Sequence, residues 1–199
     1  MSETKFLWPP KALLPLKGRL DARKGPAAAG AYVDKTRQRL SVLAAQETMA
    51  VEKTLQKTRQ DASKRLAERK RTLERLTALP PTREENNPAA IRANRLDTEE
   101  RDYLRTALSS CESAILEANE TLVNAKTLLE TRLVRLRSMT QERISLYIMG
   151  VRSSKELKTF ICPMPEEDIG TLDACLAGHQ TLDDEVRRVA EELMRKEAA

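Results

Sequence analysis

Few side chains in this sequence have the types and the spacing that catalysis or metal binding requires. His179 is the only histidine, in the sequence LAGHQT, so a histidine-dependent triad would have to form around one residue near a predicted helix end. The sequence contains no Gly-rich phosphate loop, no Cys-x-x-Cys pair and no histidine-rich metal spacing. We therefore predict a protein that is not an enzyme, that has no cofactor and no metal, and that carries His179 on its surface.

The acidic pairs and the cysteines also have structural interpretations. Glu166-Glu167 and Asp183-Asp184 occur where helix starts favour acidic residues, so a role in helix capping is the preferred interpretation. The cysteines are odd in number and widely spaced, which predicts reduced structural thiols rather than a disulfide framework. They are Cys111, Cys162 and Cys175.

The composition predicts long helices rather than a compact core rich in large side chains. Of the 199 residues, 33% are charged, only 3% are aromatic and only six are glycine. No run of eighteen apolar residues is present, and the N-terminus lacks the apolar core and cleavage site of a secretory signal. We therefore expect a cytoplasmic protein without a membrane partner.

The net charge of +5 is concentrated at the N-terminus. Residues 1–40 contain nine Lys or Arg and three acidic residues, whereas the rest of the chain has 26 basic and 27 acidic residues. Residues 1–30 also contain four prolines, which predict an extended basic arm. This arm is too apolar for a solvated tail, so we expect it to bind a partner, the alternative being that it folds back on its own helices. The predicted partner-binding residues are Phe6, Leu7, Trp8, Lys11, Leu13, Leu14, Lys17 and Arg19.

Two long helices are predicted over residues 31–149, joined by a loop at 80–96, and residues 150–199 are predicted to form a loop and a shorter helix. The first helix has a thin apolar stripe, and a heptad register through Leu55 and Leu66 places Arg59 and Arg69 on the same seam. Pro80-Pro81 ends this helix. The fold class is therefore all-α, with long antiparallel or extended coiled-coil helices and a non-helical N-terminal arm.

The second long helix has the clearer apolar pattern. Asp97 or Thr98 is the expected N-cap, and the helix is expected to stop at Gly150. Its apolar residues have a mean spacing of about 3.6, and Thr140 fills the single gap. They are Leu104, Ala107, Cys111, Ile115, Ala118, Leu122, Ala125, Leu129, Leu133, Leu136, Ile144 and Tyr147. Two helices with such narrow apolar stripes can bury them against each other by packing as an antiparallel hairpin. One hairpin still leaves a weakly apolar seam exposed, which predicts assembly with other helices.

Two segments resemble the rod of the tektin family. In QKTRQDASKRLAERKRTLERL, the residues in step with a tektin rod segment are Asp61, Arg65, Leu66, Arg69 and Leu73. In YLRTALSSCESAILEANETL, they are Leu104, Ala107, Leu108, Glu112, Ala118 and Leu122. The resemblance covers roughly residues 5–135, about half of a full rod, and the family's RPNxELC-type motif is absent.

The resemblance implies a structural protein of the ciliary or flagellar axoneme that stabilises doublet microtubules. Its implied partners are tubulin and other axonemal coiled-coil proteins, and self-association is a further option. The alternative is a cytosolic helical adaptor or a nucleic-acid-associated coiled-coil protein. The basic arm favours nucleic acid, but the long helices mix both charge signs and offer few aromatic residues for base stacking, so that partner is not the expected one.

Overall fold

The computed structural model describes residues 9–82, 87–160 and 179–198. Within these residues a 3₁₀ turn precedes four α-helices, and no strand occurs. The turn is Lys11–Leu13, and the helices are α1 (Leu14–Ala22), α2 (Pro26–Ala78), α3 (Pro88–Arg152) and α4 (Gln180–Glu197). The predicted all-α fold is confirmed.

The N-terminal region is more helical than the sequence suggested, so an extended arm over residues 1–30 is wrong for its described part. Pro15 lies in the first turn of α1, and Pro26 is the first residue of α2. A proline is tolerated there because the first helical N–H groups have no partner within the helix. Gly25, at φ 106°, takes the left-handed conformation that lets the chain turn between the two helices.

The loop between the long helices is shorter than the predicted range 80–96. Helix α3 begins at Pro88, and the side-chain oxygen of Asn87 accepts a hydrogen bond of 2.8 Å from the backbone N–H of Ala90. Asn87 therefore caps the helix, and neither Asp97 nor Thr98 does. Thr98 lies inside α3, where its hydroxyl donates to the carbonyl oxygen of Asn94.

The first of two compact units comprises Met1–Ala50 and Leu128–Cys175. Its core joins the start of α2 to the end of α3, and the rings of Tyr32 and Tyr147 stack with centroids 4.0 Å apart. Farther along α2, Glu47 forms an ion pair with Arg132. The two helix segments therefore run antiparallel in this unit. The buried core residues are Ala22, Ala29, Val33, Ile144, Tyr147, Ile148 and Val151.

The second unit comprises Val51–Thr127 and Leu176–Ala199. Arg69 pairs with Glu112, and Arg75, later in α2, pairs with Glu100, earlier in α3. The helices are therefore antiparallel here too, as a hairpin requires. The apolar pattern predicted for α3 is confirmed at most positions, and Thr140 in the first unit is buried as expected.

Candidate protein-interaction surface

In the first unit, two glycines hold α1 against the end of α3. A Cβ atom added at Gly18 would lie 2.2 Å from the carbonyl oxygen of Tyr147, and one added at Gly150 would lie 2.0 Å from the carbonyl oxygen of Pro15. Both contacts are with backbone atoms, which a change of rotamer cannot move. Only glycine at both positions allows the helices to approach this closely.

A buried polar group completes this contact. The Asp21 carboxylate accepts hydrogen bonds from Lys17 Nζ at 2.6 Å and from the Tyr147 hydroxyl at 3.1 Å. Burial raises the pKa of Asp21, but the hydrogen bonds from Lys17 and Tyr147 outweigh it, so the pKa lies below its ordinary value. Burial, together with the neighbouring Asp21 charge, raises the pKa of Tyr147, so its hydroxyl stays protonated and donates.

Most of the predicted partner-binding residues within the described part of the chain contact this chain's own helices. Leu14 is completely buried, Lys11 pairs with Glu142, and Arg19 Nε donates to Ser153 Oγ at 2.8 Å. Lys17 is bound to Asp21. Residues 9–22 therefore fold back on the chain, which was the alternative to an anchoring arm. Phe6, Leu7 and Trp8 lie outside the described residues.

Of the two predicted partner-binding leucines that the structure describes, Leu14 is buried and Leu13 is 51% exposed. Leu16 and Leu20 are similarly exposed, at 54% and 49%. The spacing i, i+3, i+7 places the three residues on one side of the 3₁₀ turn and α1. Leu16 and Leu20 were not among the predicted partner-binding residues, because a helix was not expected here; their spacing was the available signal.

A groove of about 800 Å³ lies beside α2 in the same unit. Its apolar lining includes Pro9, Ala28, Ala31, Tyr32 and Val42, and 55% of Val42 is exposed. Basic side chains of Lys17, Lys35 and Arg39 border it. Apolar and basic groups therefore meet on this side of the unit as well.

The second unit contains a buried charge cluster that the sequence did not reveal. Arg59 is 2% exposed, and its guanidinium donates to both carboxylate oxygens of Asp183, at 2.8 and 2.9 Å. It also donates to Glu52 at 2.6 Å, and Lys126 pairs with Asp183 at 2.9 Å. The cluster joins α4 to α2 and α3. The predicted seam position of Arg59 is correct, but its partner lies 124 residues away.

Asp183 is therefore an ion-pair residue, and it also lies in the first turn of α4, where an acidic side chain was expected. Burial raises its pKa, but hydrogen bonds from Arg59 and Lys126 outweigh burial and hold the pKa below its ordinary value. The nearby His179 is half-exposed, and its Nε2 lies 3.4 Å from Glu52 Oε1. These groups have the geometry of a structural clamp between helices.

The structure describes some of the residues on which the cysteine and metal predictions depend. Cys111 is buried and free of any disulfide, and burial raises the pKa of its thiol. Cys162, Cys175 and the pair Glu166-Glu167 lie outside the described residues. Among the residues that the structure describes, no three His, Cys, Asp or Glu side chains are grouped closely enough to hold a metal ion.

No family model matches this chain, and no curated protein or solved structure matches it either. Of the helices in the described ranges, none combines the length and apolar character that crossing a membrane would need.

Proposed function

We propose that this chain is a structural, non-enzymatic helical protein that works through contacts with other proteins. The observation that carries the proposal is the number of large apolar side chains that the long helices leave exposed. Met49 on α2 is 72% exposed, and Leu96 and Tyr103 on α3 are 65% and 67% exposed. Leu96 and Tyr103 are separated by seven residues and lie on the same side of α3, and exposed apolar side chains that are grouped in this way mark surfaces that other proteins cover.

In its specific form, the proposal is a tektin-like component of the ciliary or flagellar axoneme that stabilises doublet microtubules. This step depends on the sequence resemblance described above. The basic surface of the first unit supports it, because a basic surface suits an acidic lattice such as that of tubulin. Tubulin and other axonemal coiled-coil proteins are the proposed partners.

The location of the full-length chain tests this function. We expect a tagged chain expressed in ciliated cells to follow the axoneme and to remain there after detergent extraction. Purified chain is also expected to pellet with stabilised microtubules, and less so as salt rises. A diffuse cytoplasmic signal without pelleting would favour the cytosolic adaptor, and nuclear enrichment would favour the nucleic-acid-associated alternative.

A further inference from the structure

The groove beside α2 in the first unit follows one side of that helix. Its lining residues on α2 recur every three or four positions, which places them on one helix face. The distance along this face from Ala28 to Val42 is about 21 Å, because an α-helix rises about 1.5 Å per residue. The groove therefore has the length to accommodate several residues of an extended segment. Its lining residues on α2 include Ala28, Ala31, Tyr32, Lys35, Gln38, Arg39 and Val42.

The described part of the chain begins in the lining of this groove. Pro9, the first described residue, is one of the lining residues. Its position is fixed, since Arg143 Nη1 donates a hydrogen bond of 2.9 Å to the Pro9 carbonyl oxygen. Consecutive Cα atoms are about 3.8 Å apart, so the backbone of Trp8 must lie beside the groove. The groove is thus the first surface that the preceding residues reach.

The residues before Pro9 have the chemistry that an apolar groove accommodates. Phe6, Leu7 and Trp8 are three consecutive large apolar residues. The charged side chains among residues 1–8 are Glu3 and Lys5, whose charges cancel, so the segment is not repelled by the basic groups at the groove. Eight extended residues span at most about 28 Å, which exceeds the length of the groove face on α2.

The basic groups that border the groove also favour aromatic side chains. Lys17 Nζ lies 5.1 Å from the centroid of the Tyr32 ring, within the range of a cation–π contact. Lys35 and Arg39 line the same groove and can contact a further aromatic ring in this way. The lining therefore suits a segment that carries aromatic residues.

We propose that Phe6, Leu7 and Trp8 occupy the groove beside α2 of their own chain. Docking there buries their apolar side chains against the apolar part of the lining. Because Pro9 attaches the segment directly to the groove, the contact is intramolecular and has the high effective concentration of a short tether. The three side chains are thus covered before any partner arrives. This inference goes beyond the proposed function, because it concerns a contact within one chain and requires neither microtubules nor a cilium.

The fluorescence of the purified full-length chain tests the proposal. Trp8 is the only tryptophan in the sequence, so its emission reports on this segment without a label. We expect an emission maximum at shorter wavelength than in concentrated urea, and weaker quenching by acrylamide. Both properties should be independent of protein concentration, because the segment and the groove belong to the same molecule.

A matched pair of variants identifies the groove as the site of contact. A31K/V42K introduces two charges at exposed positions of the lining, so Trp8 emission should move to longer wavelength and quenching should rise toward its value in urea. A27K/M49K makes the same change of net charge at exposed positions of α2 outside the lining, and it should behave like the wild type. Circular dichroism verifies that both variants are folded.

A variant of the segment tests the same contact from the other side. F6S/L7S keeps Trp8 as the reporter and changes no residue of the groove or of the helices. It removes two of the three apolar side chains, so acrylamide should quench Trp8 more strongly than in the wild type. Unchanged quenching would contradict docking of the three residues together.

Three further results would overturn the proposal. The first is a wild-type Trp8 whose emission and quenching match those in urea. The second is a protected Trp8 on which A31K/V42K and A27K/M49K have equal effects, which would place the tryptophan outside the groove. The third is protection that appears only at higher protein concentration, or only when vesicles of phosphatidylcholine and phosphatidylserine are added. The segment would then bind a second copy or a membrane instead.

Discussion

Among single residues, Asp183 in the second unit is buried, and its carboxylate forms ion pairs with both Arg59 and Lys126. We predict that Asp183→Ala lowers the free energy of unfolding by about 3–5 kcal/mol, since it leaves the buried Arg59 charge with only Glu52 as a partner. Urea unfolding followed by circular dichroism measures the change.

The adjacent residue Asp184 is the matched control. It lies in the same turn of α4, but half of its side chain is exposed, and its ion pair with Arg187 is a surface one. Asp184→Ala is therefore expected to cost no more than about 1 kcal/mol. Equal losses for the two variants would mean that the Arg59–Asp183 pair has no special structural role.

The same carboxylate predicts how stability depends on pH. Because the pKa of Asp183 is lower in the folded chain than its ordinary value of 3.8, its contribution is fully present above that value. The contribution is lost as the pH falls through the folded-state pKa. The difference in unfolding free energy between the wild type and Asp183→Ala should thus be constant from about pH 5 to 7 and shrink below about pH 4. A difference that grows on acidification would contradict this sign.

Among the elements, α1 depends on its close contact with α3. Gly18→Ala and Gly150→Ala each place a Cβ atom against backbone, so we predict a loss of about 1–3 kcal/mol for each. Gly30→Ala is the control, because a Cβ atom there meets nothing within 4 Å and alanine favours a helix interior by about 0.5–1 kcal/mol. Thermal melting should lower the midpoint for the first two and raise it for the third; a stabilised Gly18→Ala variant would refute the contact.

The comparison between sequence and structure is clearest at this level. The 3.6-residue pattern from Leu104 to Tyr147 predicted this part of α3 correctly. A helix that packs against a neighbour along one side carries apolar residues on that side, at the helical spacing. The helix starts were predicted poorly, since Pro15 was assigned to an extended arm and Pro88 to the loop at 80–96, although both lie in first helical turns. The partner of Arg59 could not be predicted, because no local pattern identifies which distant carboxylate approaches it.

For the molecule as a whole, we predict a highly helical chain of marginal stability when it is alone in solution. Many of its buried side chains are alanine, valine and leucine on narrow stripes, and they bury little area for the number of residues that must be ordered. Circular dichroism during heating should show a broad transition at moderate temperature. A sharp cooperative transition at high temperature, in a monomer verified by sizing, would show that the chain needs no partner.

The glycine contact between α1 and α3 also restricts changes of chain length. Lys11 contacts Glu142, and Gly18 packs near Gly150. The two contacts are seven residues apart in the N-terminal segment and eight residues apart in α3, so both spacings must be kept for the two contacts to form together. Inserting one residue between Glu142 and Gly150 would rotate one contact relative to the other by about 100° and bring a side chain with a Cβ atom against Pro15. Any related sequence that keeps the two glycines must therefore also keep the number of residues between these positions, which gives a spacing rule for finding such relatives.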